Sequence, residues 1–365
     1  MNRNRDDRPR YRQSLLRFLA LAIGALVGAA CVEAILRTLP VSDALRTTAV
    51  NARNPVIRFE PEREITWSRD WNFSLVNRVK FNNYGFVSDF DYDPDARGPL
   101  LAVIGDSYVE ALMVPFRETC AGRLAAGLHG ARVYAFGMSG APLSQYLVFA
   151  EYARTTFRPD AIAIVVISND YDESLMRYGR KPGMHQFLKR GDGRLVLERS
   201  DLKRGRLYTW GRRIALARYL AVNLDILNLG SNVHRAIHGP PDRRGRESES
   251  RRAVDAFFDR LPAAAGLPPD RITFVVDGVR PALYHGDEGR RPRDGYEDLM
   301  RRYFMSHAVR RGYGVIDMQP LFVRHYRIHG QRFEWPQDAH WNALGHGVCA
   351  DALQRSLAPL PDPDR

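Results

Sequence analysis

The stretch "LLAVIGDSYVEAL", residues 100–112, joins an apolar run to a Gly-Asp-Ser turn and a helix-like continuation. The run LLAVI (100–104) contains no polar residue, which is typical of a strand buried on both faces. Ser107 follows almost at once and looks exposed. It is therefore either a small residue that the turn requires or a nucleophile mounted at the end of a sheet.

Four further runs that are nearly continuous in apolar residues follow along the chain: RVYAF (132–136), AIAIVVI (161–167), ITFVV (272–276) and YGVID (313–317). Helical patterns lie between and after them, and predict helices around 119–128, 143–157, 251–263, 295–311 and 343–357. This alternation predicts five β-α repeats. The expected fold class is therefore α/β, with a doubly wound parallel sheet covered by helices.

The N-terminus predicts a membrane segment. An uncharged run from Phe18 to Val32, extended to Leu36 at the cost of Glu33, follows six arginines: Arg3, Arg5, Arg8, Arg10, Arg12 and Arg17. We expect a basic cytoplasmic tail (1–17) and a transmembrane signal-anchor (18–36). The chain would then be a single-pass protein of the bacterial inner membrane, with its remaining residues in the periplasm or outside the cell. A cleaved signal, a lipoprotein site at Cys31 and a buried core helix are the alternatives.

The rest of the chain divides into a connector (37–97) and one large domain (98–365). An insertion at about 171–250 interrupts the β-α rhythm, with a predicted helix at 213–229 and a mobile charged loop at 239–252. The insertion holds 17 Lys and Arg against 9 Asp and Glu, so most of the net charge of +12 is regional. These basic residues form a solvated face, a groove for an anionic polymer or a surface near lipid headgroups. No nucleic-acid-binding signature accompanies them, so no nucleic-acid partner is expected.

Cysteines and histidines give little sign of metal chemistry. No Cys/His cluster has zinc spacing, and we expect neither a metal nor a cofactor. Cys120 and Cys349 fall on the predicted helices 119–128 and 343–357, which pack on the same face in a flavodoxin-like strand order. In an oxidising compartment they form a disulfide if they are close enough, and otherwise remain two separate buried thiols.

Polar residues follow the apolar runs where the carboxyl ends of parallel strands meet, which is where open α/β sheets bind ligands. Ser107 can act as the nucleophile, His340 can take its proton, and Asp338 can orient the imidazole. The backbone N–H groups of Ser107 and Gly140, with the Asn169 amide, can stabilise an oxyanion. Together these residues predict an acyl-transfer site.

A second serine offers a competing interpretation. "GMSGA" (137–141) nearly matches the Gly-x-Ser-x-Gly elbow of α/β-hydrolases, which would make Ser139 the nucleophile. Its second glycine comes one residue early, and Ser107 would be left unexplained.

Four short motifs resemble the blocks of the SGNH/GDSL hydrolases. "GDSY" is similar to the serine block at Ser107, "SGAP" to the glycine block at Gly140, "ISND" to the asparagine block at Asn169, and "DAHWN" to the histidine block at His340 with Asp338. The resemblance covers roughly residues 80–357, including "FNNYGFVSDFDYD", which is similar to a segment of membrane-anchored relatives. It implies a three-layer α/β/α sandwich with five parallel strands. Ile167 departs from the family, which often has glycine there.

The spacing Asp-x-His, where the family more often has Asp-x-x-His, is similar to relatives that O-acetylate exported polysaccharides such as alginate. The resemblance thus implies a serine esterase or O-acyltransferase, chiefly for acetyl groups, acting on carbohydrate or polysaccharide esters through an acyl-serine intermediate. Its partners would be an acylated carbohydrate or other ester, the membrane and polysaccharide-assembly proteins. The alternative from another class is a non-catalytic, membrane-anchored polysaccharide-assembly protein with the same fold.

Overall fold

The chain is described by a computed structural model that covers residues 7–203, 205–226, 245–284 and 295–357. Its helices are α1 Asp7–Leu36, α2 Ser107–Glu110, α3 Cys120–Gly127, α4 Leu143–Thr156, α5 Asp170–Glu173, α6 Arg206–Gly211, α7 Ala215–Arg218, α8 Arg246–Ala265, α9 Pro281–Tyr284, α10 Tyr296–Arg310, α11 Met318–His329 and α12 Ala343–Ser356. Its strands are β1 Arg63–Arg69, β2 Leu75–Phe81, β3 Leu100–Gly105, β4 Arg132–Gly137, β5 Ala161–Val166, β6 His185–Lys189, β7 Leu195–Arg199, β8 Ile272–Val276 and β9 Gly314–Asp317.

The described residues belong to two compact units. The larger unit comprises Leu45–Ile65, Asn77–Arg204 and Pro240–Arg365, and the smaller comprises Met1–Ala44, Thr66–Val76 and Gly205–Gly239.

The larger unit is built on a five-stranded parallel sheet in the order β4-β3-β5-β8-β9, which confirms the predicted α/β fold class and its flavodoxin-like topology. Every residue of β3, β5 and β8 is buried, as expected for strands with helices on both faces. In the register, Gly105 lies beside Gly137 and Val276 beside Asp317. The carboxyl ends of these strands therefore form one edge at which loop residues meet.

The helices lie on both sides of this sheet. α3 packs against α12, while α4 and α10 both pack against α8. A disulfide joins Cys120 on α3 to Cys349 on α12, with Cα atoms 5.8 Å apart. Of the two alternatives that the sequence leaves open, the structure shows the disulfide, and this bond ties α3 to α12.

Some local predictions were wrong. Helix α8 begins at Arg246, so the second half of the predicted mobile loop 239–252 is helical, and 239–244 lies outside the described residues. The predicted helix 213–229 is shorter, with α7 followed by a π-helical turn at Tyr219–Asn223; residues 227–229 also lie outside the described ranges. Helix α11, the β1-β2 sheet in the connector and the β6-β7 hairpin in the insertion were not predicted.

The smaller unit contains the N-terminal helix. α1 starts at Asp7, so much of the predicted basic tail is helical. Its segment Arg12–Leu36 has 25 residues and a mean hydropathy of 2.3, and is long and apolar enough to cross a membrane. Only 6% of the most apolar stretch is buried within the protein. This exposure argues against the core-helix interpretation.

Candidate active site

Ser107 lies at the first position of α2, directly beyond strand β3. Two glycines allow this short helix to sit close to the strand ends. A Cβ on Gly137 would lie 2.4 Å from the backbone nitrogen of Glu110, and a Cβ on Gly105 would lie 2.5 Å from the Val109 side chain. The Asp106 carboxylate caps the helix by accepting the backbone N–H of Tyr108 at 2.9 Å. The sharp turn thus holds the serine at the edge of the sheet, where it is only 9% exposed and not as open as its sequence suggests.

The structure brings Ser107, His340 and Asp338 together. The Nε2 atom of His340 lies 2.8 Å from the Ser107 hydroxyl oxygen. On the other side of the ring, Nδ1 forms a short hydrogen bond with Asp338, whose carboxylate also accepts the His340 backbone N–H at 2.9 Å. The Asp-x-His spacing therefore lets the carboxylate reach the far nitrogen. This bond places the proton on Nδ1 and leaves Nε2 to accept the serine proton.

The loop that carries His340 is fixed on both sides. Asp338 is 4% exposed and pairs with Trp335 through backbone hydrogen bonds. Beyond the histidine, Trp341 is fully buried, and Asn342 caps α12 by accepting the N–H groups of Leu344 and Gly345. The imidazole is thus held by a rigid segment between a buried carboxylate and a capped helix.

The two other predicted oxyanion residues follow the neighbouring strands. Gly140 has a φ of +75°, a conformation that favours glycine, in the turn after β4. Asn169 comes after β5 and donates its side-chain N–H to Glu173 at 2.8 Å. An amide nitrogen carries two hydrogens, so one donor is left for a ligand. Lys181 forms an ion pair with the same Glu173 carboxylate at 2.8 Å and thereby fixes this contact.

Ser139 has different partners. Its backbone N–H donates to Glu110 at 2.6 Å, and its hydroxyl forms a short hydrogen bond with the same carboxylate. A carboxylate can accept the proton of a serine, but it gives the hydroxyl no imidazole base of the kind found beside Ser107. The geometry therefore favours Ser107 over Ser139 as a nucleophile.

Three carboxyl groups are buried around the serine. Burial raises the pKa of Asp106 to about 6, against the hydrogen bond from the Tyr108 N–H and the charge of His340. Burial also raises the pKa of Glu110 to about 7, opposed by its bonds from Ser139. Asp170 is fully buried and has a pKa well above its ordinary value for the same reason. This part of the site carries less negative charge near neutral pH than its sequence implies.

A buried arginine, Arg280, stabilises the loop that carries His340. Arg280 is 6% exposed and pairs with Asp277 and Glu334, each at 3.1 Å. It also donates to the Tyr108 hydroxyl at 2.7 Å, which in turn donates to the carbonyl of Ala339 at 3.0 Å. The residue after the nucleophile is thus connected to the residue before the histidine.

This network was not predicted from the sequence. Asp277 was detectable, because it directly follows strand β8 in the same way that Ser107 follows β3, and it also accepts the Trp341 indole N–H at 3.0 Å. Arg280 and Glu334 carried no comparable signal, since they lie 54 positions apart and off the strand ends.

A cavity of about 240 Å³ opens beside the same loop. It lies at the carboxyl ends of β5 and β8 and is lined by both apolar and charged side chains. Polar and charged residues of the lining include Ser168, Asp277, Arg280, Glu297 and Arg301. Ala339, the residue before His340, also lines the cavity. Space for part of a ligand therefore exists beside Ala339.

No family model and no curated protein matches this chain. Among solved structures, it is similar to a member of the lipolytic protein G-D-S-L family from Veillonella parvula, with 11% identity, a TM-score of 0.37, and coverage of 70% of this chain and 96% of that chain. It is also similar to LAE5, an alpha/beta hydrolase from a metagenome of Lake Arreo in Spain, with 18% identity, a TM-score of 0.41, and coverage of 74% of this chain and 99% of that chain. A third similar structure is that of an acetyl xylan esterase, AlAXEase, with 12% identity, a TM-score of 0.41, and coverage of 71% of this chain and 100% of that chain. These similarities are too distant to assign an activity, so the activity is inferred from the geometry of the site.

Proposed function

We propose that the chain is an SGNH-type serine esterase or O-acyltransferase. The observation that carries the proposal is the continuous hydrogen-bonded row from Ser107 through His340 to Asp338. Such a row is the arrangement that activates a serine hydroxyl for attack on an acyl carbon.

In the first half of the reaction, the Ser107 oxygen attacks the ester carbonyl while Nε2 of His340 takes its proton. The resulting oxyanion is stabilised by the N–H groups of Ser107 and Gly140 and by the remaining amide hydrogen of Asn169. Collapse of the intermediate breaks the ester bond, and His340 gives its proton to the leaving alcohol. Water then releases the acyl group as an acid, whereas a sugar hydroxyl in place of water gives a transferase.

The proposed substrate is a short acyl ester, chiefly an acetyl ester, of a carbohydrate or polysaccharide. The Asp-x-His spacing supports it through the resemblance to polysaccharide O-acetylating relatives. The cavity beside Ala339 supports it on physical grounds, because charged side chains such as Asp277 and Arg301 disfavour burial of a long alkyl chain.

The proposed location is the bacterial inner membrane, with the larger unit in the periplasm or outside the cell. The arginine-rich N-terminus is expected to stay in the cytoplasm. The disulfide between Cys120 and Cys349 independently supports export, since such bonds persist in oxidising compartments. Alkaline phosphatase fused after Arg365 should be active in the periplasm; an inactive fusion beside an active cytoplasmic reporter at the same point would contradict export.

The function is tested with p-nitrophenyl esters and an acetylated oligosaccharide, using the full-length chain in detergent. Ser107→Ala should abolish hydrolysis and transfer, while Ser139→Ala should keep most of the activity because its hydroxyl is bound to Glu110. Acetate should be preferred to octanoate. An active Ser107→Ala protein beside an inactive Ser139→Ala protein would move the nucleophile to the end of β4, and no activity in any assay would favour the non-catalytic alternative.

A further inference from the structure

The smaller unit has an unusually apolar surface. Among the described residues outside α1, eleven large apolar side chains are exposed, and seven of them lie in this unit: Leu39, Trp71, Val76, Tyr208, Trp210, Leu224 and Ile226. Trp71 is 71% exposed and Trp210 is 60% exposed, whereas Trp341 of the larger unit is fully buried. Isolated apolar residues on a surface need no explanation, but this concentration in a small unit indicates an interaction surface.

This surface is attached to the end of α1. The Glu33 carboxylate, in the last turn of the helix, accepts the backbone N–H groups of Ala215 at 3.0 Å and Leu216 at 2.7 Å, and Arg37 donates to it at 2.8 Å. The one acidic residue of the apolar segment is therefore fully paired, which makes its position near lipid tolerable.

Apolar packing strengthens the attachment. Leu36, Val41 and Ala215 form a buried cluster against which Phe73, Leu216 and Tyr219 pack. The hydroxyl of Tyr219 donates to the backbone carbonyl of Trp71 at 2.8 Å, so the segment that carries this tryptophan is held to the same cluster.

The length of α1 sets the depth of this end. The 25 residues of Arg12–Leu36 extend over about 38 Å at 1.5 Å per residue, compared with a hydrocarbon core of about 30 Å. If the helix spans a bilayer, its last turn reaches the headgroup layer. Tryptophan and tyrosine are enriched at that depth because their rings are apolar and their N–H and O–H groups are polar.

We propose that Trp71, Tyr208 and Trp210, with the exposed Arg213, form a juxtamembrane collar that inserts into the headgroup layer of the bilayer around the end of α1. The aromatic rings would lie at the level of the lipid carbonyls, and the guanidinium group would contact lipid phosphates. The collar rests on the proposed membrane anchoring by α1 and is independent of the proposed catalysis. It would give residues 205–226 of the insertion a role in holding the anchor at a fixed depth.

The experiment measures quenching of tryptophan fluorescence in nanodiscs that contain the full-length chain and phospholipid brominated near the carbonyl end of its acyl chains. The protein has five tryptophans and α1 contains none of them, so the anchor itself contributes no signal. We expect the Trp71→Phe/Trp210→Phe variant to lose more than about half of the quenching, since these two rings are the ones at the lipid interface. Trp335→Phe, in the larger unit, is the matched control and should leave the quenched fraction nearly unchanged.

Different results would contradict the collar, the membrane anchor and the catalysis. Equal quenching in the wild type and the double variant would overturn the collar, as would wild-type fluorescence that brominated lipid does not affect. A cross-linker placed at position 71 or 210 that reacts with a second copy of the chain, and not with lipid, would also overturn it. Labelling of Ser107 by a fluorophosphonate probe tests the proposed function independently of the quenching, and equal labelling of the wild type and the double variant shows that the variant is folded. Release of the chain from membranes by alkaline extraction would refute the anchor and the collar together, but would leave the proposed catalysis untouched.

Discussion

The Glu110 carboxyl makes folding stability depend on pH in a way that one substitution should remove. It is 2% exposed and accepts two hydrogen bonds from Ser139, and the described residues form no ion pair with it. Burial raises its pKa from an ordinary value of 4.5 to about 7. A carboxyl whose pKa is raised on folding stabilises the fold fully below the unfolded pKa, and this contribution is lost as the pH rises through the folded pKa.

The magnitude follows from the two pKa values. One pH unit corresponds to about 1.4 kcal/mol, so the difference between 4.5 and about 7 corresponds to about 3 kcal/mol of folding free energy. Glu110→Gln keeps the shape of the side chain and an acceptor for Ser139 but removes the ionisation. We therefore expect the variant to gain about 3 kcal/mol over the wild type between pH 4.5 and pH 8.

The assay is urea unfolding of the full-length proteins in detergent at pH 5, 6, 7 and 8. The difference in unfolding free energy between Glu110→Gln and wild type is plotted against pH, which cancels the other titrating groups. Glu64→Gln, at an exposed carboxylate on β1, is the matched control and should give a difference that is flat with pH. The reasoning would be refuted if the difference for Glu110→Gln were also flat with pH, or if the variant became less stable relative to the wild type as the pH rises.

The remaining predictions concern the proposed catalytic groups and their support. Asp338→Asn should lower kcat by about 10⁴ by releasing the orientation of the His340 ring, and acetyl-ester hydrolysis by a folded variant at more than a tenth of the wild-type rate would contradict this role. Asn169→Ala should lower kcat by about 10²–10³, as for one lost oxyanion donor, with little change in melting temperature; an unchanged kcat would exclude the amide from the oxyanion site. Arg280→Met should cost about 3–5 kcal/mol in urea unfolding, because it removes the guanidinium group from Asp277 and Glu334, whose side chains are only 10% and 13% exposed, and an unchanged unfolding midpoint would show that the network contributes no stability.

The parallel sheet was predictable because its central strands are almost entirely apolar, which is typical of strands buried on both faces. Ser107 and His340 were predictable because polar residues at strand ends share one edge of the sheet. The β6-β7 hairpin was missed because β7 is partly exposed and its sequence, LVLER, has no strict alternation. Strand β2 does alternate between buried and exposed positions, and its pattern was a signal that went unused.

The depth of Ser107 and the Arg280 network could not be derived in the same way. The low exposure of the serine comes from the approach of α2 to Gly105 and Gly137, and a glycine in a sequence does not say which backbone approaches it. Arg280 joins Tyr108 across 172 positions of the chain. Such a contact depends on the tertiary arrangement of loops, for which local periodicity carries no information.

The nucleophile is tested most directly by treating the full-length protein with a fluorophosphonate probe and locating the adduct by mass spectrometry of its peptides. We expect one adduct per chain, on Ser107, which is absent from Ser107→Ala, strongly slowed in His340→Ala and retained in Ser139→Ala. An adduct on Ser139, or a folded protein with no adduct at all, would contradict the proposal that Ser107, His340 and Asp338 form a catalytic site.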